Sequence, residues 1–345
     1  MMLRSTGLYH VRSRLLPRGS TFASPPILAI SSSKARPSKS REMCGLVAAI
    51  DDVWSSSSSS SRLPPTTTAT RPIPILTNKL VLQNTTSILN HRGPDGSCVS
   101  MGTFGNVGSV IGGGDRSAVA AARWAMGHTR LAIVDPTSRA ADMPFNLSIT
   151  TQATTTAQAH GDGGSSTSTS TMKLHLVANG EIYNHVQLYD QLIMDGWDSN
   201  NRISNSDCEV IAHLFAYYGG NKTVQLLDGM FAFVIFAEEE QEDSSSSSSS
   251  STASGSGKQG VQVFAARDPV GIKPLYYGRT TSSSNEDNDG NNGGAAYVFA
   301  SELKALVGHV ESSTIVALPP GHYWSNSTTS SNNSNSTKMK TMKRK

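Results

Sequence analysis

The chain has 345 residues, a formal net charge of +3 and 16% charged residues, below the ~25% that is usual for globular proteins. Its apolar runs are far shorter than the ~20 residues of a membrane-spanning helix, and its excess positive charge lies at the two ends, so neither a membrane protein nor a nucleic-acid-binding protein is indicated. Setting aside the tracts of Ser, Thr, Gly and Asn leaves roughly 200 residues, which predicts one folded domain.

Residues 1–43 are rich in Arg, Lys and Ser, and the first acidic residue is Glu42. This composition is typical of a transit peptide. The alternative is a gene start upstream of the true initiator, Met43, and the sequence leaves both open. Initiation at Met43 implies a cytoplasmic protein, whereas a real leader implies a plastid or a mitochondrion. In either case we expect residues 1–43 to be removed from the active form.

Strand-like and helix-like patterns alternate along the rest of the chain, each bounded by Gly, Pro, Asn or Asp. The predicted strands span residues 44–50, 124–134, 174–178, 231–236, 261–266 and 297–300. The predicted helices span residues 79–89, 186–194, 207–218 and 302–307. The third helix has an apolar face, and Ser206 followed by Glu209 predicts a capping box at its start.

Polar tracts separate these elements, and their low apolar content predicts long disordered loop insertions rich in Ser, Thr, Gly and Asn. They lie near residues 55–72, 102–122, 148–172, 238–260 and 280–295, and a basic tail at 325–345 is predicted to be disordered as well. A surface loop can lengthen at little cost, since each doubling of its length adds only ~0.6 kcal/mol of closure entropy. The insertions are therefore compatible with one intact core.

The three cysteines, Cys44, Cys98 and Cys208, form no Cys-x-x-Cys pair and no His/Cys cluster at metal-binding spacing, so we predict neither a disulfide framework nor a metal site. Removal of Met43 would leave Cys44 with a free α-amine. Such a residue carries a thiol nucleophile and, with an amine pKa of ~7.7–8.0, its own base. In an internal cysteine that nitrogen is a planar amide and cannot act as a base. Taken alone, Cys44 is more typical of a small buried residue that opens a strand.

Eight sequence blocks are more specific than turn chemistry requires. They are MCGLV at 43–47, HRGPDG at 91–96, GHTRLAIVD at 127–135, NGEIYNH at 179–185, SDCE at 206–209, DGMFAF at 228–233, ARDPVGIKPLYY at 266–277 and FASELKAL at 299–306. In this order they resemble the N-terminal class II glutamine amidotransferase domain of glutamine-hydrolysing asparagine synthetases, over residues 44–324. The resemblance implies an α+β fold, the four-layer αββα sandwich of N-terminal-nucleophile hydrolases.

The resemblance also implies the catalytic groups. Cys44 is the expected nucleophile, and the Asn179 side chain with the Gly180 backbone N–H is expected to stabilise the oxyanion that forms on the glutamine carboxamide. An alternative is that Asn179 and Gly180 only turn the chain after a strand, as Asn-Gly pairs often do. Residues 91–95 are expected to form a loop near the site, without assigned roles.

Free glutamine is zwitterionic, so its site needs a cation and one or two anions. By resemblance, Arg130 binds the α-carboxylate, and Glu181 and Asp207 bind the α-ammonium. Backbone groups of four residues are expected to line the glutamine site: Leu131, Ala132, Ile133 and Val134. Asp207 has an alternative explanation, because an acid in the first turn of a helix is favourable without a ligand. Residues 142–145 read DMPF where the family has Gln-Pro and an apolar residue. This difference from the family affects the prediction for the local loop and not the prediction for the site.

The resemblance implies the glutaminase half of an asparagine-synthetase-type enzyme, which hydrolyses glutamine to glutamate and ammonia for asparagine synthesis. The sequence has no Ser-Gly-Gly-Leu-Asp-Ser-type pyrophosphate loop, so we expect the synthetase domain to be absent from these residues. No cofactor is expected for this chain, and ATP and Mg²⁺ only if a synthetase domain is supplied elsewhere. Glutamine is the expected substrate, a synthetase domain or subunit the expected partner, and homodimer formation stays open. The alternatives are a catalytically silent glutamine-binding or scaffold module and a truncated gene product.

Overall fold

Two six-stranded antiparallel sheets form the centre of the structure. A computed structural model describes residues 43–51, 74–104, 122–156, 165–240, 261–280, 296–326 and 338–342. In chain order the strands are β1 (Gly45–Ile50), β2 (Gly96–Thr103), β3 (Arg123–Arg130), β4 (Phe145–Thr156), β5 (Ser165–Ile182), β6 (Gly229–Glu240), β7 (Gln262–Arg267), β8 (Tyr276–Arg279), β9 (Tyr297–Ala300), β10 (Val316–Ala317), β11 (His322–Ser325) and β12 (Lys338–Thr341). The α-helices of the described residues are α1 (Pro74–Thr77), α2 (Lys79–Ser87), α3 (His185–Met194) and α4 (Val210–Leu226). The strand order is β10-β8-β9-β1-β3-β2 in the first sheet and β12-β11-β7-β6-β5-β4 in the second.

The two sheets pack face to face, with helices on both outer faces. Strand β1 has no polar face, because all 6 of its residues are buried. Leu46 and Ile50 lie in the cluster between the sheets together with Val177 and Val234, whereas Val47 lies in the cluster that includes residues of α1 and α2. Successive residues of a strand point to opposite faces, so a strand that is apolar on both faces must be covered on both sides. The predicted four-layer αββα sandwich is confirmed.

Helices α3 and α4 cover the outer face of the second sheet. Leu188 and Leu192 of α3 and Ile211 and Phe215 of α4 are buried in the cluster on that face. Helix α4 runs beyond the predicted end and bends at Gly219, whose φ of 75° is the left-handed conformation that glycine adopts at little cost. Among the described residues, no helix has the length and hydrophobicity that a membrane span requires.

The capping box predicted before α4 is wrong. Ser206 makes no side-chain cap hydrogen bond, and a 3-10 turn at Asp207–Glu209 leads into the helix instead. The buried carboxylate of Glu209 accepts the backbone N–H groups of Ile203 and Ser204, both at 2.7 Å, and lies 3.1 Å from His213 Nε2. Burial alone would raise the pKa of Glu209, but the hydrogen bonds from His213, Ser204 and the Ile203 N–H lower it. Glu209 therefore anchors the loop before the helix rather than closing a reciprocal cap.

Two predicted disordered segments contain strands. In the tract at 148–172, β4 and β5 pair from Phe145 opposite Leu176 to Thr156 opposite Ser165, so the loop prediction is wrong for the described residues of that tract. Threonine favours extended backbone, and a ladder that has already formed is lengthened by further backbone hydrogen bonds. In the tail at 325–345, β12 pairs with β11, because the edge of β11 offers unpaired backbone groups to a further strand.

Other element boundaries also differ from the prediction. The strand predicted at 124–134 ends at Arg130, where the chain turns back around the guanidinium of that residue. The helix predicted at 302–307 is a single 3-10 turn, Leu303–Ala305, preceded by an extended Glu302 whose carboxylate is held by other side chains. Strands β2, β4, β8, β10, β11 and β12 were not predicted. Residues 1–42, the insertion at 55–72 and most of those at 102–122, 238–260 and 280–295 lie outside the described residues.

Candidate functional site

Cys44 lies directly before β1, and its thiol contacts the loop that follows β3. The Leu131 backbone N–H lies 3.2 Å from Cys44 Sγ, and the Leu131 carbonyl oxygen lies 3.7 Å from it. Burial raises the pKa of the Cys44 thiol, whereas the Leu131 N–H and the charge of Lys273 oppose that rise. The thiol is thus half-buried at a place where a backbone donor and a cation favour its thiolate form.

Side chains of neighbouring elements fix the backbone on both sides of Cys44. The Gly45 N–H donates to Thr129 Oγ1 at 3.1 Å, and Arg92 Nε donates to the Cys44 carbonyl oxygen at 3.2 Å. A β-carbon at Gly45 would lie 2.6 Å from Thr129 Oγ1 and 2.7 Å from Leu89 Cβ, so a larger residue does not fit there. The blocks at 43–47, 91–96 and 127–135 therefore form one packed unit around the thiol.

Arg92 is held in turn by a charged cluster centred on Glu302. Glu302 Oε1 lies 2.9 Å from Arg92 Nη1 and 2.8 Å from His91 Nε2, and Lys304 Nζ lies 3.0 Å from Oε2. Burial alone would raise the pKa of Glu302, but hydrogen bonds from Arg92, Lys304 and His91 lower it to about 2. The 91–95 loop lies beside Cys44, as expected, and the block at 299–306 supplies the carboxylate that orients it.

Asn179 is a fully buried residue of β5 whose side-chain amide has no hydrogen-bond partner among the described residues, at either Nδ2 or Oδ1. Asn179 and Gly180 pair with Ala232 and Phe231 of β6, and the strand continues beyond them, so the alternative that they form a turn is wrong. A β-carbon at Gly180 would overlap the Met230 carbonyl oxygen and lie 2.7 Å from Phe231 Cα. Nearly all buried polar groups in proteins are hydrogen-bonded, so an amide without a partner indicates a ligand site.

The guanidinium of Arg130 lies within the loop that follows β3 rather than in open solvent. It donates to Asp142 Oδ1 at 2.7 Å and to backbone carbonyl oxygens of the same loop. Asp95 Oδ2 accepts the Ala132 N–H at 2.9 Å, so the loop is also held from the 91–95 side. The Ile133 side chain is exposed, and Leu131, Ala132 and Val134 are half-buried.

Asp207 lies next to the strand that carries Asn179. Its Oδ2 accepts the Ile182 N–H at 2.6 Å, and burial raises the pKa of the carboxyl group while that N–H opposes the rise. Cys208 Sγ lies 3.6 Å from the Gly180 carbonyl oxygen, and burial raises the pKa of this thiol well above its ordinary value. Asp207, Cys208 and Gly180 therefore lie close together. The resemblance implies this for Asp207 and Gly180, which it assigns to one glutamine site, but not for Cys208. Cys98 is exposed on β2 and lies outside this group.

Lys273 belongs to the site but was not predicted from the sequence. It is only 4% exposed, and its ammonium interacts electrostatically with Glu181, Cys44 and Cys208. Burial lowers the pKa of Lys273, and the Glu181 and Cys44 charges oppose that shift. The buried carboxylate of Asp268 holds the loop by accepting the Lys273 N–H at 3.0 Å and other backbone N–H groups. Lys273 lies in the specific block at 266–277, which was the signal in the sequence that could have indicated its role. No residue of that block was assigned a role from the sequence.

The described residues contain no group of three or more His, Cys, Asp or Glu side chains that could hold a metal ion. Titratable groups at the site instead contact one another, as in the pair of Arg130 with Asp142 and the charged cluster centred on Glu302. The chemistry that this arrangement can support is nucleophilic attack by a thiol on a carbonyl carbon, with buried N–H donors available to a developing oxyanion.

The chain is similar to known proteins over part of its length. Residues 154–244 match the model of the glutamine amidotransferase domain. A probable glutamine-hydrolysing asparagine synthetase of Schizosaccharomyces pombe is 37% identical over 157 residues, which cover 45% of this chain and 21% of that protein. The glutamine-hydrolysing asparagine synthetase 3 of Arabidopsis thaliana is 33% identical over 201 residues, or 58% of this chain and 24% of that protein. The predicted resemblance to this family is confirmed.

The resemblance concerns only part of those proteins, since the chain spans 21% and 24% of the length of these two relatives. Among solved structures, the Bacillus subtilis glutamine phosphoribosylpyrophosphate amidotransferase in complex with ADP and GMP is 23% identical with a TM-score of 0.35, and the match covers 64% of this chain and 35% of that one.

Proposed function

We propose that this chain hydrolyses glutamine to glutamate and ammonia, as the glutaminase half of an asparagine-synthetase-type amidotransferase, with Cys44 as the nucleophile. The observation that carries the proposal is the buried Asn179 amide, which has no partner among the described residues and lies on the strand next to Asp207 and Cys208. An oxyanion is the kind of ligand that such a donor binds strongly, because a charge-assisted hydrogen bond forms in a water-poor site.

The proposed reaction has two steps. Cys44 Sγ attacks the carboxamide carbon of glutamine, the C–N bond breaks, and the nitrogen leaves as ammonia with the proton of the thiol. A water molecule then attacks the thioester, which releases glutamate and restores the thiol. The free α-amine of Cys44 moves the protons through water in both steps, so the active form must begin at Cys44. The Asn179 Nδ2 and the Gly180 N–H donate to the oxyanion in both tetrahedral intermediates.

Charged groups around the thiol suit the zwitterionic end of glutamine. Arg130 is proposed to bind the α-carboxylate, and Glu181 and Asp207 the α-ammonium. The raised pKa of Asp207 fits this role, since an approaching ammonium favours the charged carboxylate that burial disfavours. Leu131 to Val134 line the site through backbone groups.

Cofactors, partners and location follow from the same proposal. Glutamine hydrolysis itself uses no cofactor, and ATP and Mg²⁺ serve the synthetase reaction of a partner domain or subunit that receives the ammonia. We place the functional domain at 44–324, with a start at Met43 in a cytoplasmic protein or a cleaved leader in an organellar one. Homodimer formation is compatible with this arrangement.

Glutamate release tests the proposal. The chain is expressed, mass spectrometry establishes that its first residue is Cys44, and glutamate is measured after incubation with glutamine. We expect release by the wild type and by Cys98→Ala, which alters an exposed thiol, and none by Cys44→Ala. A folded wild type that begins at Cys44 and releases no glutamate contradicts the proposal and leaves a silent glutamine-binding module.

A further inference from the structure

The loop after β3 already occupies the guanidinium of Arg130. Nη1 donates to the Ser138 carbonyl oxygen at 3.0 Å and to Asp142 Oδ1 at 2.7 Å. Nη2 donates to the Val134 carbonyl oxygen at 3.3 Å and to the Asp135 carbonyl oxygen. Of the five N–H donors of an arginine, four lie on these two terminal nitrogens. Each of the four therefore has an acceptor within the protein.

Asp142 differs from the other three acceptors because it is a carboxylate. The side chains of Arg130 and Asp142 are 12% and 30% exposed, so the pair is partly shielded from solvent. A carboxylate ligand binds a guanidinium best through two parallel N–H···O bonds, which need two neighbouring donors. Asp142 holds one of those donors with the same chemical group that the substrate would present.

We propose that Asp142 competes with the α-carboxylate of glutamine for Arg130 and thereby sets the glutamine affinity of the site. This inference rests on the proposed function and adds a residue that determines affinity. Binding then exchanges one carboxylate for another at Nη1, so part of the attraction between Arg130 and the substrate is used to displace Asp142. Asp142 acts through Arg130 and touches no reacting atom, so it is a positioning residue.

Asp142→Asn tests the competition, because asparagine keeps the volume and one oxygen acceptor of the side chain but loses its negative charge. We expect the KM for glutamine to fall about threefold, the range of a partly exposed ion pair, with the effect in KM rather than in kcat. The α-amide of glutamine lacks the carboxylate, and its KM should not fall. Asp51→Asn is the matched control, since Asp51 pairs with Arg123 at 2.5 Å at the opposite end of β3.

The outcomes separate this inference from the function on which it rests. A folded Asp142→Asn variant with an unchanged or higher KM for glutamine overturns the inference, since it makes Asp142 a support for Arg130 rather than its competitor. An equal fall in KM for glutamine and its α-amide, or a similar fall in Asp51→Asn, overturns it as well. If the wild type that begins at Cys44 releases no glutamate, the proposed function fails and the inference with it.

Discussion

Replacing Asn179 by leucine separates the role of this side chain in catalysis from its role in stability. Leaving a buried polar group without a partner costs about 1–3 kcal/mol, and Asn179 has two such atoms, Nδ2 and Oδ1. Leucine has a similar size and has no polar atoms, so it removes the cost of both unpaired atoms. Repacking the core around its differently shaped side chain costs about 1–3 kcal/mol. We therefore expect the free energy of unfolding of Asn179→Leu to lie within about 1 kcal/mol of the wild-type value, or above it.

Catalysis should respond in the opposite way. Loss of one side-chain donor to an oxyanion lowers kcat about 10²–10³-fold, which corresponds to roughly 2.7–4 kcal/mol of transition-state stabilisation. Glutamate release by protein that begins at Cys44 gives kcat, and urea unfolding followed by circular dichroism gives the free energy of unfolding. The predicted result for Asn179→Leu is a stable protein with almost no activity.

Asn326 provides a matched control, because it is also a buried asparagine but both polar atoms of its amide are hydrogen-bonded. Its Oδ1 accepts the Val263 N–H at 2.7 Å, and its Nδ2 donates to the Val261 carbonyl oxygen at 2.8 Å. Asn326→Leu leaves both backbone groups unpaired and should lose about 2–4 kcal/mol of stability. If Asn179→Leu is destabilised as much as Asn326→Leu, or keeps its kcat, Asn179 is a structural residue and the assignment to the oxyanion is refuted.

Three further predictions concern other parts of the site. In Gly180→Ala the new methyl group requires the backbone to move by about 1 Å, so kcat should fall about 10²-fold. Gly96→Ala is the control, because its β-carbon has open space around it and the variant should keep its activity. Equal kcat values for the two variants would contradict the prediction. The pKa of Glu302 is lowered to about 2 from an ordinary 4.5, so its ion pairs stabilise the protein above pH 4.5 and lose that effect as the pH falls towards 2. Between pH 4.5 and pH 2 the free energy of unfolding of the wild type should therefore fall by about 1 kcal/mol more than that of Glu302→Gln, as measured by urea unfolding at each pH. The same pH dependence in both proteins would rule the effect out. Lys273→Met removes a cation near Cys44, so alkylation of that thiol by iodoacetamide at pH 7 should slow on the order of fivefold, with recovery in Lys273→Arg; an unchanged rate would show that Lys273 does not act on the thiol.

The strands that could be predicted from the sequence are those with apolar residues on a covered face. Strands β1, β3, β6 and β7 contain runs of buried apolar residues, and each was predicted within a few residues of its observed bounds. Residues 150–156 of β4 and 165–171 of β5 are instead rich in Thr and Ser, and they are strands because they pair with each other. A local pattern carries no information about such a partner, so these segments were taken for loops.

The same limit applies to the site. Cys44, Asn179, Gly180 and Asp207 stand in specific blocks, and the resemblance assigns each of them a role that stays a prediction. Contacts between the blocks could not be predicted, because the residues that make them are distant from each other in the chain. The contact of Arg130 with its own loop is closer in sequence, but nothing in the spacing shows that a predicted strand ends at Arg130 and folds back around its side chain.

Buried polar side chains position three backbone segments of the site. Thr129 holds the residue after the thiol, Glu209 holds the loop before Asp207, and Asp268 holds the loop that carries Lys273. Each anchor bonds to backbone N–H groups, whereas apolar clusters join the sheets to each other and to the helices. Loss of one anchor should therefore displace a functional group while the sandwich remains folded, because the hydrogen bonds that fix the site are separate from the apolar packing that stabilises the sheets.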